Sequence, residues 1–132
     1  ALHRMYGDAM AINNGCASYF LAQVPVGMSD LDAATRVTVY AANFDAVRAA
    51  HTGQAFDIDG FAHLMPAVVE SGDGVLLERR VLGVHRLKSA APVGALARVA
   101  ALLGGGTRAQ ADALKAQVKA KAGIDGMVRP HP

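Results

Sequence analysis

Two short segments of the chain contain polar side chains whose types and spacing are suited to ligand chemistry. The first, 53–59 (GQAFDID), places Gln54 and Asp57 three residues apart. Their side chains share one face if the segment is helical. An amide and a carboxylate are costly to bury on a mostly apolar helix unless they meet polar partners. The pair therefore indicates either the lining of a polar cavity or the solvent-facing end of a helix.

The second segment, 85–89 (HRLKS), concentrates positive charge over two helical turns together with Arg80. His85 and Lys88 are three residues apart and share a helix face. Lys88 stands at the start of an apolar run, where its ammonium group could hold a phosphate as a compact point charge. The alternative is a set of cations whose apolar stems lie along an amphipathic helix while the charges reach water.

The other polar features are weaker signals. No two of the five histidines have metal-ligand spacing on one helix, so no metal site is predicted from them. The glycine run 104–106 precedes a helix start, but it lacks the Lys-Ser/Thr ending of a nucleotide-binding loop and predicts a plain turn. Cys16 has no base that can be assigned from the sequence, so we predict a small, buried apolar residue there.

Composition restricts the classes of protein that can hold these segments. The 132 residues include 27 alanines and no tryptophan, with 52% hydrophobic and 5% aromatic residues, which favours helices and excludes a disordered chain. One cysteine excludes a disulfide scaffold, and no apolar stretch is long enough to cross a membrane. With no export signal, we expect a cytoplasmic protein.

Charge is divided unevenly between the two halves of the chain. The net charge of +2 is the balance of −3 in residues 1–66 and +5 in residues 67–132. A basic half can indicate an anionic partner or simply solvated helix surfaces. A nucleic-acid partner is not favoured, because base-stacking aromatic residues are almost absent from the basic half.

The elements that must position these residues are four predicted helices in an all-α fold. They cover about 6–23, 29–59, 75–103 and 107–122. Pro25 and Gly27 end the first, Gly60 ends the second, Pro92 kinks the third, and Gly123 ends the fourth. An irregular stretch surrounds Pro66, and a turn is predicted at 71–74. Residues 1–126 are assigned to one helical domain and 127–132 to a tail.

Four segments in a consistent order resemble the trans-prenyl diphosphate synthases, the polyprenyl synthetase family. Segment 2–15 (LHRMYGDAMAINNG) resembles the helix that follows that family's first aspartate-rich motif, and 53–57 (GQAFD) resembles its Gly-Gln-x-x-Asp. Segment 85–89 (HRLKS) stands where the family has its Lys-Thr motif, and 95–106 resembles a helix ending in Gly-Ala-x-x-x-Gly. The resemblance covers roughly residues 1–115.

The resemblance implies a partial helical bundle of the isoprenoid synthase type and a prenyltransferase activity. Such an enzyme condenses an allylic diphosphate with isopentenyl diphosphate inside an apolar, helix-lined cavity. On this basis Lys88 is expected to hold the allylic diphosphate, with Ser89 in place of the usual threonine. Gln54 and Asp57 are expected to line the cavity near the reacting carbons and the diphosphate. The family also implies a homodimer.

The chain departs from the family in the residues that would bind metal. The family holds Mg²⁺ with two Asp-Asp-x-x-Asp motifs, and neither occurs in this sequence. The first is expected just before Ala1 and the second near 123–125, and Cys16 replaces a usual aspartate. We therefore expect this chain alone to be incomplete or inactive unless a partner segment completes it. The alternatives are a non-catalytic helical subunit or dimerisation module, and, less favoured by the motifs, a class I terpene cyclase.

Overall fold

The computed structural model describes residues 1–124, and all regular secondary structure in this range is helical, which confirms the all-α class. The elements are α1 (Leu2–Leu21), α2 (Val24–Gly27), α3 (Ala33–Asp59), a 3-10 turn (Ala62–Leu64), α4 (Met65–Ser71), α5 (Val75–His85), a π turn (Arg86–Ala90), α6 (Ala91–Leu103) and α7 (Arg108–Ile124). The isoprenoid synthase type of bundle stays a prediction.

The chain divides into two compact units, 1–41 and 42–132, and each is described separately. The assignment of 1–126 to one domain stays a prediction. The predicted tail, 127–132, lies outside the described residues.

The first unit begins with α1, whose regular geometry is interrupted at Gly7 (φ 81°, ψ 164°). Helix α1 ends at Leu21, close to the predicted end at Gln23, but the short helix α2, with Pro25 in its first turn, was not predicted. Proline is tolerated there, since the first amide groups of a helix have no partner within it. Arg36 then ties the connection to α3, because its guanidinium donates to the carbonyls of Ser29 (2.9 Å) and Leu31 (3.0 Å).

Helix α3 begins at Ala33, four residues later than the sequence predicted, because Asp32 provides the cap. The Asp32 carboxylate accepts hydrogen bonds from the Thr35 amide (3.0 Å) and the Thr35 hydroxyl (2.6 Å). Such bonds satisfy a donor at the helix start and favour the charged carboxylate. The Thr35 hydroxyl and amide accordingly hold the pKa of Asp32 below its ordinary value.

In the second unit, α3 ends at Asp59 as predicted, where Gly60 takes a left-handed conformation (φ 71°) that side chains disfavour. The stretch around Pro66 is more ordered than predicted, because Pro66 stands in the first turn of α4. The predicted turn at 71–74 is confirmed by the left-handed Gly72 (φ 66°). Asp73 accepts a hydrogen bond from the Val75 amide (2.9 Å) where α5 begins.

The single helix predicted over 75–103 is divided into α5, the π turn and α6. The π turn lies directly before Pro92 in the first turn of α6. In a regular α-helix the Pro92 ring would clash with the carbonyl of Lys88, and that carbonyl would lose its amide partner. A widened turn is one local way to accommodate this, so the kink predicted at Pro92 takes the form of a π turn.

Helices α6 and α7 pack closely against each other, and the π turn packs on α7. The buried side chains here are small, with Ala90, Ala95 and Ala111 all buried. Small side chains allow two helix axes to approach, and Arg98 bridges the pair by donating to the Asp112 carboxylate (2.6 Å). The alanine content of the sequence therefore serves close packing in this unit.

Helix α7 begins with the cap that the sequence predicted at Thr107. The side-chain oxygen of Gln110 accepts a hydrogen bond from the Thr107 backbone amide (2.9 Å). The backbone amide of Gln110 donates to the Thr107 hydroxyl (3.3 Å), and the two bonds together form a capping box. The prediction that Gly123 ends the helix is wrong, because α7 continues through Gly123 to Ile124.

Large apolar side chains remain exposed in the first unit, where α1 has no buried residue. Met5, Tyr6, Ile12 and Phe20 are among those exposed. Cys16 is also exposed, so the prediction of a buried cysteine is wrong. None of the helices described in residues 1–124 combines the length and apolar character that a membrane crossing needs.

Candidate functional site

The two predicted site segments meet where α3 approaches the π turn. Gly53 is buried in α3, and a Cβ atom placed there would lie 2.8 Å from both the Leu87 Cβ and the Lys88 backbone nitrogen. Contacts of this kind are ordinarily 3.4–4 Å, so only glycine allows the two backbones to come this close. The glycine of the Gly-Gln-x-x-Asp segment therefore has a packing role that the sequence pattern did not reveal.

Lys88 and Asp57 form an ion pair across this approach, although they are 31 residues apart in the chain. The Lys88 Nζ lies 2.5 Å from the Asp57 Oδ2. The Lys88 side chain is 40% exposed and the Asp57 side chain 44%, so water still reaches both charges. A pair this exposed contributes about 0.2–1 kcal/mol to stability, and Lys88 can reach a ligand without leaving a buried carboxylate unpaired.

Gln54 and Asp57 both lie in α3, and their spacing places them on one helix face as predicted. Gln54 is half-buried, and its side chain makes no hydrogen bond to another residue of 1–124. Ser89 lies next to Lys88 in the π turn with an exposed side chain, which likewise bonds to no described residue. The structure thus pairs Lys88 with Asp57, whereas the polar groups of Gln54 and Ser89 remain available to a ligand.

The described residues do not fit the magnesium that the resemblance implies. Within residues 1–124, no three His, Cys, Asp or Glu side chains come together in a way that could hold a metal ion. Asp57 and Asp59 are two apart in α3, so they point to different helix faces. The position expected for the second aspartate-rich motif, 123–125, extends beyond the described residues.

A pocket of about 170 Å³ lies beside this contact in the second unit and shares Leu87 with it, and the sequence pattern did not predict the pocket. It is formed by the C-terminal end of α3, the segment that follows Gly60, one face of α5 and Leu87 of the π turn. Gln54, Asp57, Lys88 and Ser89 do not line it. The available signal was the arginine pair 79–80, of which the sequence analysis singled out only Arg80 for its charge.

The arrangement around Lys88 is suited to binding an anion rather than to acid–base or nucleophilic chemistry. It offers an ammonium group, a neutral amide that can donate and accept, and a hydroxyl. The Asp57 carboxylate holds the ammonium in place while leaving part of it open to solvent. By fold the chain is an all-α protein, and Lys88 and Asp57 form a partly exposed ion pair where α3 meets the π turn.

Compared with protein-family models, with curated proteins and with solved structures, the chain gives no match.

Proposed function

We propose that this chain carries the part of a prenyl-transferring enzyme that binds the allylic diphosphate, in the polyprenyl diphosphate synthase class. The observation that carries the proposal is the ion pair between Asp57 and Lys88. These residues belong to the two segments, 53–57 and 85–89, that resemble the family's motifs. Their contact supports the idea that the two segments act together on one ligand.

The role of Lys88 in this proposal follows from charge. When the bond between the allylic carbon and the diphosphate oxygen breaks, both bonding electrons leave with the diphosphate and negative charge develops there. An ammonium group already held at that position stabilises the developing charge without having to reorganise. Gln54 and Ser89 add hydrogen bonds that orient the substrate. Isopentenyl diphosphate then attacks the allylic carbon, and a proton is lost from the product.

The π turn gives this proposal further support. An isolated π turn within a helix is uncommon and is found frequently at functional sites, because it turns side chains away from the regular helical positions. Lys88 and Ser89 both lie in this turn. Magnesium has no ligand set among the described residues, and the contact of Lys88 with a diphosphate oxygen requires no metal.

The test is a calorimetric titration of the chain with geranyl diphosphate, for the wild type and for Lys88→Ala. A charge-assisted hydrogen bond contributes about 1.5–3 kcal/mol, so the variant should bind roughly 10- to 100-fold more weakly. Arg108→Ala is the matched control, because Arg108 is an exposed cation in the first turn of α7, at the end that follows the connection from α6. Equal affinities for the wild type and Lys88→Ala would contradict the proposal.

A second candidate is a non-catalytic helical subunit or dimerisation module, and the exposed apolar surface of α1 favours it. Met5, Tyr6 and Ile12 are all more than 60% exposed, and packing against another chain would remove their apolar surface from water. Sedimentation equilibrium of the wild type and of Ile12→Glu distinguishes this candidate. It requires self-association that Ile12→Glu weakens, together with no binding of geranyl diphosphate.

A further inference from the structure

The pocket between α3 and α5 has an apolar interior. It is lined by Phe56 near the end of α3, Phe61 after the turn, Val84 on α5 and Leu87 in the π turn. Val84 is buried, whereas Phe56 keeps 47% of its surface exposed. An aromatic ring left half-exposed at the wall of a pocket gains further apolar contact from a molecule that enters the pocket.

The chain builds this pocket by local geometry. Gly60, which also lines it, ends α3 in the left-handed conformation and redirects the chain. This turn brings Phe61 and His63 to the same pocket as α5. On the opposite wall, residues 79, 80, 83, 84 and 87 recur at the spacing of one helical face.

The polar groups at the pocket are mainly cationic. Arg79 and Arg80 line it together with His63, against one acid, Asp59. Guanidinium groups carry a permanent charge, and histidine can donate a hydrogen bond in either protonation state. None of these four side chains makes a hydrogen bond or ion pair with a described residue. Two arginines against one aspartate therefore leave a net positive charge beside the apolar interior, and neither arginine is tied up in an ion pair with a described residue.

We propose that this pocket binds a small apolar molecule with a single anionic head group, such as an aromatic carboxylate or phosphate. A dry cavity of about 150 Å³ holds a benzene molecule, so 170 Å³ admits one aromatic ring or a short aliphatic chain. The ring occupies the space between Phe56 and Val84, and the head group meets the arginines. The pocket adjoins the Lys88 site but is not lined by its polar residues, and the proposal does not depend on the proposed function.

Four probes that share one ring distinguish the head-group chemistry: 3-phenylpropionate, benzyl phosphate, the neutral 3-phenyl-1-propanol and the cationic 3-phenylpropylamine. Binding is followed by the methyl NMR signals of Val84 and Leu87 in the full chain. We expect at least one of the two anions to shift these signals and to bind about tenfold or more tightly than the alcohol. The stronger of the two anions identifies the head group. The amine should produce no shift.

Two variants test the pocket itself. Gly83 lines the pocket, and a Cβ atom placed on it meets nothing within 4 Å, so Gly83→Leu should fill the space and abolish binding while keeping α5 helical. The double variant Arg79→Gln/Arg80→Gln should weaken anion binding about tenfold or more and remove the preference over the alcohol. Arg108→Gln, an exposed arginine of α7 outside the pocket, should change nothing.

Three results would overturn the proposal. One is an alcohol that binds as tightly as both anions. Another is anion binding that leaves the Val84 and Leu87 signals unshifted. The third is wild-type affinity in the double arginine variant, which keeps the test decisive if Gly83→Leu does not fold.

Discussion

Replacing Gly53 by alanine tests the close approach on which the Lys88 site depends. A Cβ atom at this position would lie 2.8 Å from the Leu87 Cβ, 2.8 Å from the Lys88 nitrogen and 3.1 Å from the Lys88 Cβ. All three neighbours belong to or are fixed by the backbone of the π turn, so no flexible side chain can simply move aside. Helix α3 and the π turn would have to separate by ~0.6 Å to restore ordinary contact.

The expected magnitude has two opposing contributions. Alanine stabilises a helix interior by about 1 kcal/mol relative to glycine. Overpacking of a close contact costs about 1–3 kcal/mol. Gly53→Ala should therefore lower the free energy of unfolding by about 1 kcal/mol, with a range from roughly zero to 2 kcal/mol.

Gly83→Ala is the matched control, because Gly83 is also a helical glycine of the second unit and its Cβ would meet nothing within 4 Å. Gly83→Ala should raise the free energy of unfolding by about 1 kcal/mol, because alanine favours the helix more than glycine does and no steric cost opposes this gain. The difference between the two variants then measures the overpacking alone, about 2 kcal/mol, which corresponds to roughly 8 °C in melting temperature.

The assay is urea unfolding of the wild type and both variants, followed by circular dichroism at the helical signal. A shift in the midpoint with an unchanged denaturant slope would assign the effect to stability. If Gly53→Ala stabilises the chain as much as Gly83→Ala does, then α3 and the π turn are not in close contact. The reasoning about the site geometry would then be refuted.

Three further predictions each concern a single residue. Asp57→Asn removes the negative charge beside Lys88, so it should raise the affinity for geranyl diphosphate about fivefold at low salt. A lower affinity of the variant in a calorimetric titration would contradict this prediction. Asp32→Ala, but not Asp32→Asn, should lower the melting temperature at pH 7 through loss of the cap. Thr35 lowers the pKa of Asp32 in the folded chain. The stability that the charged Asp32 carboxylate contributes is therefore complete above the ordinary pKa of 3.8, and it is lost as the pH falls through the folded pKa. The difference in melting temperature between the wild type and Asp32→Ala should therefore decrease at low pH. A difference that does not change with pH would contradict this prediction. Cys16 is exposed, so its thiol should react with a thiol reagent in the native chain. A thiol that reacts only after unfolding in urea would contradict this exposure.

Much of the secondary structure could be predicted from the sequence, because the signals are local. Gly60 ends α3 and Thr107 caps α7 as expected, since each acts through a few neighbouring backbone groups. The helix α2 that contains Pro25 and the continuation of α7 through Gly123 were not predicted, and the two cases have a common cause. Proline and glycine are compatible with a helix at some positions, and the residue type alone does not reveal which position it occupies.

The candidate site could be predicted in part. The polar residues of segments 53–57 and 85–89 were identified from their types and spacing, and the structure brings Asp57 and Lys88 into contact. The pocket lined by Phe61 and Arg79 was missed, because it is formed by residues 56–63 and 79–87, two segments that are separated in the chain and meet only in the folded unit. No periodic pattern signals such a pocket.

The sequence by itself determined that this protein is helical, rich in alanine and unevenly charged, because composition and capping act over a few residues at most. Only the tertiary structure decided which polar groups meet. The ion pair of Lys88 and Asp57 requires α3 to touch the π turn, and that contact depends on the missing side chain of Gly53. Contacts across 31 residues reflect how backbones pack in space, and local preferences do not specify that packing.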